Sequence, residues 1–310
     1  MFMAEIEKIN NDFVNLFREG RPLLENGCGK AMNVCREEAF RHFEALGGVP
    51  YKTEDYWYTD LSSVLGLDYK IVLKYIAQDV DLKEVFRCAV PDLLTNLILT
   101  VNGWYFKENA PIEIPEGVIV CGLQEAGVKY PHLLESHYNR YTPAAAKDGM
   151  IALNTAFAQD GLFVYIPKNT VVERPLQVVN LLRAKADLMA FQRNLIVVEA
   201  GAQATMLVCD HTLSDNRFLM NNTTEVYLGE GAHLDYYQVQ NQHLGASQIN
   251  SLLISEQRNS VFESNLVTLY GGMIRNNQYV ALNGEGGECH LYGIYILDKS
   301  QHVDNYSYID

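Results

Sequence analysis

The residues of this chain able to do chemistry are thinly spread. Gly284-Glu285-Gly286-Gly287-Glu288 has the glycine density of a phosphate loop. Two acids inside it would repel a phosphate and no Lys-Ser/Thr follows, so a backbone turn is the better account. Cys289, His290 and His302 are metal-ligand types, but neighbours on a strand point to opposite faces, so Cys289 and His290 cannot share one ion. Glu225 and Glu256, one repeat apart, are the pair that glycosidase chemistry would need on one face of a stacked structure. Gly-x-Ser-x-Gly and His-Glu-x-x-His are absent. Six cysteines (Cys28, Cys35, Cys88, Cys121, Cys209, Cys289) lack Cys-x-x-Cys spacing, which suits reduced thiols in a cytoplasmic protein rather than a disulfide or metal framework. No catalytic residue, cofactor site or metal site is expected.

The elements that carry these residues fall into two compositional halves. The 310 residues include 38 Asp+Glu against 24 Lys+Arg, a net charge of -14. That balance argues against a nucleic-acid partner held through its phosphates. Residues 1–150 hold 37 charged side chains and the remainder 25, while Asn plus Gln rises from 11 to 26. A polar surface built from amides, with Val, Ile, Thr and Tyr, points to sheet rather than helix in the second half. The acidic N-terminus is unlike a signal peptide, and no apolar run is long enough to span a membrane, so a soluble protein is expected.

The first hundred residues read as a helical region. Phe2, Ile6, Ile9, Phe13, Leu16 and Phe17 share one helical face, which Gly20-Arg21-Pro22 should close. A second helix is expected over 31–46, with Met32, Cys35, Ala39, Phe43 and Leu46 inward and Gly47-Gly48 as its stop. Tyr51, Tyr56, Trp57 and Tyr58 read as aromatics packing this cap onto the next domain. Short helices are expected around Tyr69–Ile76 and Asp92–Leu99.

From about 101 to 310 an apolar strand followed by a Gly or Asn corner recurs at Asn169, Gly201, Gly231, Asn259 and Gly286, with spacings of 32, 30, 28 and 27 residues. The 52 residues from Gly117 to Asn169 would hold two more units. Gly and Asn tolerate a left-handed backbone, so each unit predicts one sharp corner. The units are too short for strand–helix–strand crossovers. Stacked β-coils with amide ladders between them satisfy the pattern better than a β-sandwich.

Motifs then point to a family. Arg36-Glu37-Glu38-Ala39-Phe40, Leu46-Gly47-Gly48-Val49-Pro50 and Glu54-Asp55-Tyr56-Trp57-Tyr58-Thr59-Asp60-Leu61 resemble the N-terminal signature of the SufD branch of the SufB/SufD family, scaffold proteins of the SUF iron–sulfur cluster assembly system. Leu153 through Gly161, running into Val164-Tyr165-Ile166-Pro167-Lys168-Asn169, resembles the family core. Leu269-Tyr270-Gly271-Gly272 with Arg275-Asn276, and Gly293-Ile294-Tyr295 with Gln301-His302-Val303-Asp304-Asn305, resemble its later strands.

The resemblance implies a mainly β protein, a right-handed parallel β-helix after an N-terminal α-helical region. It implies a non-catalytic scaffold that pairs with SufB through the C-terminal end of the β-helix and docks the ATPase SufC through C-terminal helices. ATP on SufC, reduced flavin and the Fe-S cluster would enter only with the whole complex. Family members continue past the Gln-His-Val-Asp motif, so a C-terminally truncated form is expected, with an open coil prone to homodimer formation. Gln301, His302, Asp304 and Tyr306 are the candidate partner interface. A β-helical polysaccharide-processing or carbohydrate-binding protein is the alternative, and it would need acids converging in a groove.

Overall fold

The computed structural model describes residues 2–77, 80 and 93–310, with the side chains of Phe2 and Met3 left aside. Cys88 and the start of the helix expected at Asp92 lie outside these residues.

The chain opens on helix α1 (Phe2–Glu25) and helix α2 (Lys30–Ala45). Helix α1 continues through Gly20-Arg21-Pro22 instead of stopping there. Proline inside a helix costs about 3 kcal/mol. Burying Leu24 completely, and ion pairs from Arg21 to Glu25 (2.7 Å) and Glu37 (2.5 Å), offset that cost. Gly47 and Gly48, both with positive φ, close α2 as the sequence predicts. Its buried face is Met32, Arg36, Ala39, Phe40 and Phe43, whereas Leu46 turns outward. In the aromatic patch Tyr56 is buried and Tyr51 packs half-buried against the same core, whereas Trp57 and Tyr58 are 69% and 81% exposed. The short helix α3 (Ser62–Leu65) follows.

Two expected helices are strands or loop. Lys70–Ile71 is strand β1, parallel to residues 188–189, followed by loop. Asn96–Val101 is strand β2, paired with the short β3 (Trp104–Tyr105). The segment after Gly117 also departs from expectation. Strand β4 (Ile119–Gly122) leads into helices α4 (Leu123–Lys129), α5 (Pro131–His137) and α6 (Gly149–Phe157), so two further coils do not occur there. Every residue of α6 is buried, and a helix apolar all round lacks the one-sided period that would reveal it in sequence.

The rest is a β-solenoid of about five turns. Its strands are β5 (Leu162–Ile166), β6 (Val171–Leu182), β7 (Leu188–Val198), β8 (Gln203–Thr212), β9 (Phe218–Leu228) and β10 (His233–Asn241). They continue as β11 (Ala246–Glu256), β12 (Val261–Tyr270), β13 (Met273–Leu282), β14 (Glu288–Tyr295) and β15 (His302–Ile309). The chain alternates between two sheets, ordered β15-β13-β11-β9-β7-β5-β4 and β14-β12-β10-β8-β6-β2-β3. Apart from the antiparallel end pairs β4–β5 and β2–β3, stacked strands are parallel: Val171, Gln203, His233, Val261 and Glu288 form one column, which reproduces the repeat read from sequence.

Each corner lies where that repeat placed it. Asn169, Gly201, Gly231, Asn259 and Gly286 all have φ between 54° and 74°. At Gly201, a Cβ would also stand 2.5 Å from Asn169 Oδ1 of the coil before. Gly201→Ala should therefore lower stability by about 1–2 kcal/mol, the cost of a left-handed L-residue. An unchanged urea midpoint would show that the corner relaxes freely.

Burial explains the composition of the two sheets. Strand β7 is buried along its whole length, because the inner face meets the solenoid core and the outer face meets the helices. Strand β12 alternates, with one face in water. Met189, Phe191, Leu219, Ile249 and Met273 carry the helical layer, packed against Phe13, Phe17, Phe40 and Phe157. Inside the solenoid an apolar core runs beside two amide-rich columns. Gln192, Asn222, Asn250, Asn276 and Asn305 stack in register through one sheet. Thr100, Asn180, Asp210, Gln240 and Thr268 do so through the other. Amide bonds run along the stack (Asn250 to Asn276, 3.0 Å; Asn276 to Asn305, 2.8 Å) and across it (Gln192 to Asn180, 3.1 Å; Gln240 to Asn276, 2.9 Å). These are the ladders that the Asn and Gln enrichment predicts, and they pair polar groups that would be costly to bury alone.

Candidate interaction surface

The last coil, β14 and β15, occupies one end of both sheets, and each of its strands is paired on one side only. Its apolar side chains are unusually open: Tyr292, Ile294, Tyr295, Ile296 and Ile309 are each more than half exposed. Large exposed aromatic and aliphatic groups beside unpaired strand edges suit association by strand addition.

The four residues singled out from sequence sit beside this surface, and three of them are turned toward the chain's own N-terminal region. Asp304 accepts from Thr59 Oγ1 at 2.5 Å and is ion-paired to Arg275. His302 Nε2 lies 3.1 Å from the same Thr59 hydroxyl. The Tyr306 ring lies 5.2 Å from the Arg275 guanidinium, and burial, then the nearby Asp55, push its hydroxyl up to about 12. Gln301 instead braces the preceding turn, accepting from the Asp298 N–H at 2.6 Å and donating to Gly271 O at 3.2 Å.

Arg275 organises this clasp and was not evident from sequence. It is 1% exposed, donates to Asn277 Oδ1 (2.7 Å) and to the Asp55 carbonyl (2.6 Å), and lies 4.5 Å from the Tyr56 ring centre. Asp148, which caps α6 through the Met150 N–H, also accepts from the Tyr56 hydroxyl at 2.9 Å. Burial raises the Asp148 carboxyl above its ordinary range. A second buried pair, Arg193 with Glu225, lies further back on the same outer face. The available signal for both pairs was an Arg-Asn dipeptide within a strand with an acid about one coil later.

The other chemical candidates do not assemble. Glu225 faces the helices and meets Arg193, whereas Glu256, in line with the inward Leu228, meets Ser260 inside the solenoid. They occupy opposite faces, so the glycosidase-type pair does not form. Cys289 points into the core while His290 points out beside Glu288, as strand alternation requires. Gly286 is a solenoid corner. Among the described residues no three metal-ligand side chains cluster, and Cys28, Cys35, Cys121 and Cys289 are free thiols. Burial pushes the Cys121 thiol up to about 12 and also raises Cys289, which disfavours the thiolate a metal would need.

Glu256 is fully buried, and burial pushes its carboxyl from 4.5 up to about 7. Between those values the unfolded chain gives up the proton before the folded one does. Stability should therefore fall as pH rises from about 4.5 to about 7. Glu256→Gln should remove that fall, and urea midpoints at about pH 5 and about pH 8 measure it. An identical difference between the two pH values in both proteins would exclude Glu256 as its source.

The architecture is a two-sheeted solenoid with a helical layer along one sheet. The model described as SufBD protein N-terminal region matches residues 7–178, and the model described as SUF system FeS cluster assembly, SufBD core domain, matches residues 181–310. The chain belongs to the SufBD family.

Among similar proteins is an iron–sulfur cluster assembly SufBD family protein of Arabidopsis thaliana, 31% identical over 54% of this chain and 36% of its own length. A Synechocystis SufBD family protein is 24% identical over 84% of this chain and 59% of its own. One from Staphylococcus saprophyticus is 23% identical over 95% of this chain and 67% of its own. The matches thus span from about a third to two thirds of these relatives.

Proposed function

We propose that this chain is a non-catalytic scaffold subunit of iron–sulfur cluster assembly, of the SufD type, that pairs with a SufB partner through the β14–β15 end. The observation that carries the reading is the match of the SufBD N-terminal and core models along this chain, and the exposed Tyr292, Ile294, Tyr295 and Ile309 supply the surface. Aromatic residues of this kind supply most of the binding energy at protein interfaces. The buried Arg193, Glu225, Arg275 and Asp148 and the half-buried Asp304 point the same way: they are committed to one another and to backbone groups, which suits a rigid shaft.

In this reading the chain holds no resident cofactor and works in the cytoplasm. ATP enters on SufC, and reduced flavin or a nascent cluster enters with the assembled complex. No described helix is long and apolar enough to cross a membrane. Without SufB, the same edges would pair two copies of this chain.

The test is co-purification of the tagged chain with its cognate SufB and SufC. Retention of SufB, lost when Tyr292 and Ile294 are both replaced by Asp, is expected. No retention, or retention indifferent to that substitution, overturns the proposed surface.

A further inference from the structure

A cavity of about 590 Å³ lies far from the last coil, between the loop after β1, the β2–β3 turn and the start of β7. Its floor is apolar and buried, built from Val101, Trp104, Phe157, Leu188, Met189 and Phe191. Lys70, Lys74 and Lys185 line it as well, and all three are exposed to water. No Asp or Glu appears among its described lining residues, although acids outnumber bases 38 to 24 in the chain. One of the only three lysines after residue 150 is placed here.

None of these three ammonium groups has a carboxylate partner among the described residues. The acid on the same loop, Asp187, is committed to Arg217 at 2.6 Å. The cavity thus joins a buried apolar floor to a rim of three exposed lysines with no carboxylate partner among the described residues. A single ligand class complements both: an apolar body that lies on the floor, with an anionic head at the rim where lysine stems can reach it. The volume falls within the usual range for small-molecule sites, roughly 300–1,000 Å³.

We propose that this cavity binds a small amphiphilic anion, a long apolar or aromatic body bearing a carboxylate or a phosphate. The site is independent of the partner surface assigned above, so it stands or falls separately from the scaffold reading.

Calorimetric titration of the 310-residue chain with dodecanoate, dodecyl phosphate, dodecanol and dodecylamine tests it, below the micellar concentration of each. One-to-one binding of an anion is expected, with dodecanol weaker by about tenfold and dodecylamine weaker still, as the sign of the rim charge requires. The two anionic arms distinguish a carboxylate from a phosphate head. Replacing Lys70, Lys74 and Lys185 together by Glu should weaken the anions by at least about tenfold while leaving dodecanol nearly unchanged. These lysines are exposed, so the variant should retain its circular dichroism. Ala190→Trp, which places a large ring among the lining residues, should abolish binding of both anion and alcohol in protein whose circular dichroism is unchanged. Absence of saturable anion binding, multiple weak sites, or anion affinity indifferent to the charge reversal overturns the proposal.

Discussion

Replacing Arg193 by methionine is expected to cost about 3–5 kcal/mol, the loss typical of breaking a buried ion pair from one side. Arg193 is fully buried and Glu225 is 3% exposed. The guanidinium donates to Glu225 Oε1 through Nε (2.9 Å) and Nη2 (2.6 Å), and to Thr155 Oγ1 at 3.0 Å. The carboxylate also accepts the backbone N–H groups of Asn139 (3.1 Å) and Arg140 (3.0 Å), where α5 gives way to the loop before α6. Arg193→Met thus strands a charge that water cannot reach. Adding Glu225→Gln removes the charge and keeps an acceptor for one of those two N–H groups, so the double variant should be more stable than Arg193→Met alone. Urea unfolding of the two single variants and the double variant measures this. A double variant no better than Arg193→Met would mean that lost packing, not the stranded charge, carries the cost. Surface pairs give the contrast: Lys8 with Asp12, 76% and 62% exposed, should be worth a few tenths of a kcal/mol at most.

The periodic part of the fold was legible because its constraint is local. A coil must turn sharply, the turn needs a left-handed residue, and only Gly or Asn takes that role cheaply. The corner series from Asn169 to Gly286 therefore revealed the length of each coil. The amide columns were legible for a related reason, since stacking in register places like beside like. Helix α6 escaped because its burial is not one-sided: Gly149–Phe157 is enclosed from every direction and shows no stripe, whereas α4 and α5, with seven residues each, are too short to establish a period. The clasp residues escaped differently. His302 and Asp304 could be singled out by their motif, but their partner Thr59 lies 243 and 245 residues away, and no local pattern records such a contact.

The joint between the helical layer and the solenoid converges on one side chain, and its removal should have the other large effect. Phe157, 2% exposed at the end of α6, has its ring 5.9 Å from Phe13, 5.8 Å from Phe17, 6.4 Å from Phe40 and 5.1 Å from Phe191. It thus touches both N-terminal helices and β7 at once. Phe157→Ala should cost about 3–5 kcal/mol through lost burial and the cavity left behind. The distribution of that loss carries more information than its size. The coils are bound to one another by continuous ladders and amide columns, whereas the helices meet them chiefly through side chains. Amides of α1 and α2 should therefore lose hydrogen-exchange protection first, while those of β8, β10 and β12 keep theirs. An equal loss in both sets would instead make the helical layer and the solenoid one cooperative unit. In that case an event at the Thr59–Asp304 clasp would be felt along the whole shaft, rather than by the helical layer alone.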